Sequence, residues 1–140
     1  MSSIAIVYWS GTGNTQTMAE CLAEGATSAG STVSLLTASA FNASQLAQLD
    51  YIAFGCPSMG AEELEEDEFQ PMWNEVKDHL SGKKIALFGS YGWGDGEWMR
   101  NWEEECTEIG ALLVAPPLIC QEEPDLEVKD NCIALGKSLS

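Results

Sequence analysis

The segment Ser10-Gly11-Thr12-Gly13-Asn14-Thr15 combines residue types that can hold an anion without any cation. Its two glycines let the backbone approach a ligand closely, and its four polar side chains offer hydrogen-bond donors. An apolar run over residues 4–9 precedes it and a helical pattern follows, which puts it at a helix N-terminus, where free N–H groups and the helix dipole favour negative charge. The lysine of a Walker A loop is missing, and so are the third glycine and the spacing of a dinucleotide fingerprint. No Lys or Arg occurs before Lys77. A phosphate bound here is therefore held by neutral donors and the helix end, which suits a terminal monophosphate that is never transferred; transfer chemistry would call for cations or magnesium. The alternative is an ordinary tight turn that caps a helix.

Two further segments share this character: Gly55-Cys56-Pro57-Ser58-Met59-Gly60-Ala61-Glu62 and Gly89-Ser90-Tyr91-Gly92-Trp93-Gly94-Asp95-Gly96. Each is glycine-rich with a large side chain at its tip. Trp93, set between glycines and outside any periodicity, has no core to fill, so it reads as the cover of a flat ligand. Trp73, Trp98 and Trp102 follow helical spacing and read as packing. Cys56 lies in the second segment without an activating His or cation, and packing is its expected role. The five cysteines are scattered, with no C-x-x-C pair, so neither a disulfide framework nor a metal site is suggested.

The elements that would position these segments alternate. Strands are expected at 4–9, 32–37, 51–55, 84–90 and 112–115, and helices at 15–29, 44–49 (short), 67–80, 97–109 and 125–139. Such alternation specifies an α/β, doubly wound parallel sheet with helices on both faces, and the expected strand order is 2-1-3-4-5. In that order the loops after the first, third and fourth strands converge at one end, beside the switch point.

The 140 residues suffice for one domain, spanning 1–140, that buries about two thirds of its unfolded surface. Apolar residues make up 45% and charged residues 20%, which argues against disorder in spite of a net charge of −16. With 22 acidic residues against 6 basic ones, the protein's field repels nucleic acid and anionic membrane and draws basic protein faces. No cationic segment leads into an apolar run at the N-terminus, and no apolar stretch approaches the roughly 20 residues of a membrane span, so a cytoplasmic location is expected. The run Glu62-Glu63-Leu64-Glu65-Glu66-Asp67-Glu68 reads either as a solvated helix start or as an acidic docking collar, or both.

Taken together, Val7-Tyr8-Trp9 with the Ser10–Thr15 loop, the Met59-Gly60 loop and the Gly89–Gly96 loop resemble flavodoxin, and most closely its short-chain clostridial type. The similarity runs through essentially the full length in order and spacing. It implies FMN as the cofactor. By this resemblance Ser10, Gly11, Thr12, Gly13, Asn14 and Thr15 wrap the FMN phosphate, with Ser58 and Ser90 as weaker additions, and the ring lies between Met59 and Trp93. Glu62 matches the position that accepts a hydrogen bond from flavin N3, and the backbone at Gly92 reaches the pyrimidine edge, with Gly94 and Asp95 completing that loop. Tyr91 and Trp9 are secondary candidates. Gly60 matches the residue whose peptide flips on one-electron reduction so that its carbonyl accepts the new N5 proton, a flip that glycine makes inexpensive. The best-known clostridial pattern has an acidic residue where this chain has Ala61.

The resemblance implies a one-electron carrier rather than an enzyme, with basic-faced oxidoreductases as partners, such as ferredoxin/flavodoxin reductases and 2-oxoacid oxidoreductases. A monomer is the expected state. A second electron would add negative charge beside an already anionic chain: one charge ~10 Å away at an effective dielectric of about 20 contributes roughly 1.7 kcal/mol, or about 70 mV for one electron. The alternatives are an enzyme-associated relative, such as a ribonucleotide-reductase activator or an FMN reductase, and a binding module on the same fold without cofactor.

Overall fold

A computed structural model describes residues 2–11, 13–59, 63–92 and 94–139. β1 (Ser3–Tyr8) is apolar and buried on both faces through its middle, as a central parallel strand must be when helices cover both sides. It pairs with β2 (Thr32–Thr37) from Ser3 opposite Thr32 and with β3 (Tyr51–Gly55) from Ile4 opposite Tyr51. β3 continues to β4 (Lys84–Tyr91), Tyr51 opposite Lys84. The order β2-β1-β3-β4-β5 agrees with the sequence expectation.

The expected fifth strand differs. Its position is filled by two short parallel segments, β5 (Leu112–Leu113) and β6 (Leu118–Gln121), both paired to β4. Pro116 and Pro117 lie between them, and proline has no N–H to give to a ladder, so the edge breaks there and resumes. β6 carries the chain further toward the C-terminal end of the sheet, with Gln121 opposite Tyr91.

One face is covered by α1 (Asn14–Ser28) and α4 (Leu126–Ser138), over a core that includes Ile4, Ile6, Met18, Leu22 and Phe88. The two helices nearly touch: a methyl group on Gly25 would stand 2.0 Å from the Ile133 carbonyl oxygen, and one on Gly136 2.1 Å from that of Leu22. The other face is covered by α2 (Phe69–Val76) and α3 (Glu97–Glu108), where Phe54, Phe69, Trp73 and Trp102 pack edge to face. Trp73, Trp98 and Trp102 are all buried, in agreement with their helical spacing.

The helix expected at 67–80 begins later, at Phe69, and ends in a 3-10 turn over Lys77–His79. The expected short helix at 44–49 is likewise 3-10, Ala43–Gln48, opened by an Asn42 capping box. The late start of α2 has a definite cause. Glu65 turns inward, and its carboxylate accepts the N–H groups of Asp67, Glu68 and Phe69 at 2.8 Å each, so it closes the turn before the helix.

Candidate functional site

The loops after β1, β3 and β4 meet at one end of the sheet and are cross-tied by hydrogen bonds. The Trp9 N–H donates to Gly55 O at 3.1 Å and the Ser58 N–H to Ser90 O at 3.0 Å. The Thr15 and Ser90 hydroxyls lie 3.0 Å apart, both buried. Trp98 Nε1 donates to Cys56 O at 3.1 Å. A methyl group on Gly89 would stand 2.2 Å from that same oxygen, so only glycine lets the second and third loops approach this closely.

Within the first loop, Gly13 is the N-cap of α1 and sits in the left-handed region at φ 98°. It supplies no side chain to cap the helix. The Ser10 hydroxyl oxygen accepts from the N–H groups of Gly13 at 3.1 Å and Gln16 at 3.3 Å, which fixes the loop while leaving the Ser10 O–H free to donate elsewhere. The Trp9 ring lies over Gly11, whose added methyl group would meet it at 3.0 Å. Trp9 Nε1 donates to Glu68 at 2.7 Å, which tethers the ring across the top of the site.

Between these loops runs a cleft of about 310 Å³, within the usual range for small-molecule sites. Gly11 and Asn14 line its phosphate-loop end. Ser58 and Met59 come from the second loop, and Ser90, Tyr91 and Gly92 from the third. Trp9 and Tyr91, the secondary candidates, both line it, as do Pro57 and Glu122, which the sequence did not single out. Glu122 arrives on a fourth loop, after β6, where its N–H donates to Tyr91 O at 2.7 Å. Gly94 and Asp95 are exposed and are not among the lining residues; Asp95 instead receives Arg100, Nη2 to Oδ1 at 3.0 Å. Thr12, Gly60, Ala61, Glu62 and Trp93 lie outside the described residues.

Cys56 is fully buried beneath the second loop, and burial pushes its thiol up to about 12, only partly offset by the Glu65 N–H that donates to Sγ at 3.3 Å. Its place is in the core beneath the loop. Glu65 is also buried, which by itself opposes ionisation, but its three backbone donors outweigh the burial and hold the carboxyl below its ordinary value. Next to it, Met59 and Glu63 exchange N–H···O bonds of 2.8 Å in both directions, so the second loop is pinned at both ends.

A larger groove of about 450 Å³ runs beside the second loop, with Glu63, Glu104, Glu105 and Glu108 around Trp98 and Trp102. Its carboxylates make it unfit for an anionic ligand. The smaller cleft differs: it has neutral N–H and O–H donors at a helix N-terminus and an aromatic and thioether wall beyond them, with Glu122 the one carboxylate among its described lining residues. That donor set fits a dianionic phosphate joined to a planar ring, and the fold and site together define a flavin-carrying α/β protein.

Comparison with known proteins agrees. The family model for flavodoxin matches residues 6–136. The flavodoxin of Clostridium beijerinckii is 50% identical over 96% of this chain and 97% of its own length, and that of Megasphaera elsdenii 42% identical over 96% of each. The solution structure of two-electron reduced Megasphaera elsdenii flavodoxin superposes with a TM-score of 0.88 at 40% identity, covering 97% of both chains. The chain belongs to the flavodoxin family, the short-chain clostridial type, and is an electron carrier whose cofactor is FMN.

Proposed function

We propose that this chain carries single electrons at low potential between larger redox enzymes and has no substrate reaction of its own. FMN supplies the one-electron chemistry; the protein binds it, orients it and sets its potential. Ser10, Gly11, Thr12, Gly13, Asn14 and Thr15 would hold the phosphate, and Ser58 and Ser90 would support it from the neighbouring loops. Met59 and Trp93 would flank the ring, with Tyr91 and Trp9 at its margins. Glu62 and the Gly92 backbone, with Gly94 and Asp95 in the same loop, would meet its pyrimidine edge. Gly60, followed here by Ala61, would respond to the first electron. The observation that carries this reading is the cleft itself: neutral donors at the α1 N-terminus lead into an aromatic wall, with no Lys or Arg among the described residues that line it.

Partners would be oxidoreductases with basic faces, such as ferredoxin/flavodoxin reductases and 2-oxoacid oxidoreductases. They would dock on the acidic groove of Glu63, Glu104 and Glu108, which shares the second loop with the cleft through Met59 and Glu63. The protein would act in the cytoplasm as a monomer. Stopped-flow reduction of the FMN-loaded protein by a basic-faced reductase tests this: the second-order rate should fall steeply with ionic strength, and the triple variant E63Q/E104Q/E108Q should be slower at low salt but equal to the parent at high salt. A rate indifferent to both salt and the triple substitution would refute the docking surface. Steady NAD(P)H turnover by the protein alone would refute the carrier reading.

A further inference from the structure

The Trp9 indole is held at both ends. Its benzo edge lies over Gly11, where an added methyl group would meet Cη2 at 3.0 Å and Cζ3 at 3.2 Å. At its pyrrole edge, Nε1 donates to Glu68 Oε2 at 2.7 Å, a bond to a carboxylate oxygen that spans 59 residues of sequence. The Trp9 backbone is fixed as well, through its N–H to Gly55 O at 3.1 Å. Rotation about the side-chain torsions is the freedom that remains to the ring, and the bond to Glu68 restrains it.

Glu68 is itself anchored. It is the N-cap residue of α2, and its N–H donates to the buried Glu65 carboxylate at 2.8 Å, so its side chain leaves a turn that is closed from inside. Glu68 is not among the described residues that line the FMN cleft; it lines a second cavity of about 340 Å³ together with Tyr8, Ser10, Gln16 and Thr37. Trp9 lines both spaces. The ring is thus a wall common to the two, and a ring released from Glu68 gains room toward the second cavity.

We propose that Glu68 is a positioning residue for the cofactor: by accepting from Trp9 Nε1 it keeps the indole across the first loop as a wall of the FMN cleft, and it thereby slows FMN release. This rests on the FMN reading above. The sign of the effect separates this role from bulk electrostatics. FMN carries an anionic phosphate, so removing a carboxylate nearby would by charge alone hold it more tightly, whereas losing the restraint on Trp9 lets it leave faster.

FMN release from the loaded protein, followed by the recovery of flavin fluorescence on dilution, tests the proposal. Glu68→Ala should release FMN about three- to tenfold faster than the parent, the range expected of one hydrogen bond. Glu68→Gln keeps an acceptor oxygen and should stay within about twofold of the parent. Glu66→Ala removes the same formal charge from an exposed neighbour and should not speed release. Trp9→Phe keeps a ring without the N–H, and in that background Glu68→Ala should change the rate by less than about twofold. In isotope-labelled apo-protein followed by NMR, the Trp9 indole N–H should exchange with solvent at least about threefold faster in Glu68→Ala than in the parent, which reads the restraint without the cofactor. Release left unchanged or slowed by Glu68→Ala, an equal effect of that substitution with and without the Trp9 N–H, or unaltered indole exchange would overturn the proposal. If the parent takes up no FMN, the cofactor reading itself falls and Glu68 with it, whereas FMN uptake with release indifferent to Glu68→Ala removes Glu68 alone.

Discussion

Replacing Glu65 by Gln should cost about 2 kcal/mol of stability at neutral pH, and the cost should fade in acid. Glu65 is 5% exposed, and its two carboxylate oxygens accept three backbone N–H groups at 2.8 Å. Glutamine offers one acceptor oxygen and turns an NH2 group toward the remaining N–H, so at least one donor is orphaned and the surviving bonds lose their charge assistance. Bonds to a charged acceptor contribute about 1.5–3 kcal/mol and a lost neutral one about 1 kcal/mol, hence the estimate of about 2. For a chain near this size that corresponds to roughly 4–8 °C in Tm. The sign with pH follows from the depressed carboxyl: its folded pKa lies below the unfolded value of about 4.3, so its stabilisation is complete above that value and is lost as pH falls through the folded one. Urea titrations of parent and Glu65→Gln apo-proteins at a series of pH values from 7 to 3 would show a gap of about 2 kcal/mol that narrows below about pH 4. The remaining carboxylates titrate alike in both proteins and cancel in the difference. A gap that stays constant down to pH 3, or no gap at pH 7, would refute the capping role.

Two other perturbations follow from the packing. Gly136→Ala should lower stability by at least the 1–3 kcal/mol typical of overpacking, because the new methyl group meets the Leu22 carbonyl oxygen at 2.1 Å and α1 and α4 must separate; urea midpoints of the apo-protein measure it, and an unchanged midpoint would contradict the close crossing. The thiols of Cys56, Cys106 and Cys132, pushed by burial up to about 12, should not react with a disulfide reagent at pH 8 in the native protein and should all react in denaturant; rapid native labelling of any of them would contradict the burial.

Much of the fold was legible because its signals are local. Parallel strands buried on both faces read as short apolar runs, and glycine pairs mark the strand-to-helix turns, so the three loops followed from spacing, and the strand order was chosen from the few that right-handed crossovers permit. The first loop was legible for the same reason, since the anion-binding character of Ser10 to Thr15 depends on adjacent residues and the helix they open. What escaped depends on contacts made across long separations. Within the acidic run, nothing local distinguishes Glu65, which caps a turn from inside, from Glu68, which reaches Trp9 across 59 residues, or from Glu63, which stays exposed. Glu122 was not singled out, because its place at the cleft is created by β6 resuming the sheet beyond Pro117. The two prolines do carry that signal: a strand pattern interrupted by proline marks a broken edge, and residues after the break reach further along the sheet than a single short strand would.

We infer that an FMN phosphate is held by neutral donors at the start of α1. The most direct test is a titration of apo-protein with FMN and, separately, with riboflavin, followed by quenching of flavin fluorescence. One FMN should bind per chain, and riboflavin at least a hundredfold more weakly, a ratio equivalent to about 2.7 kcal/mol. Failure to take up FMN, or equal affinity for FMN and riboflavin, would contradict it.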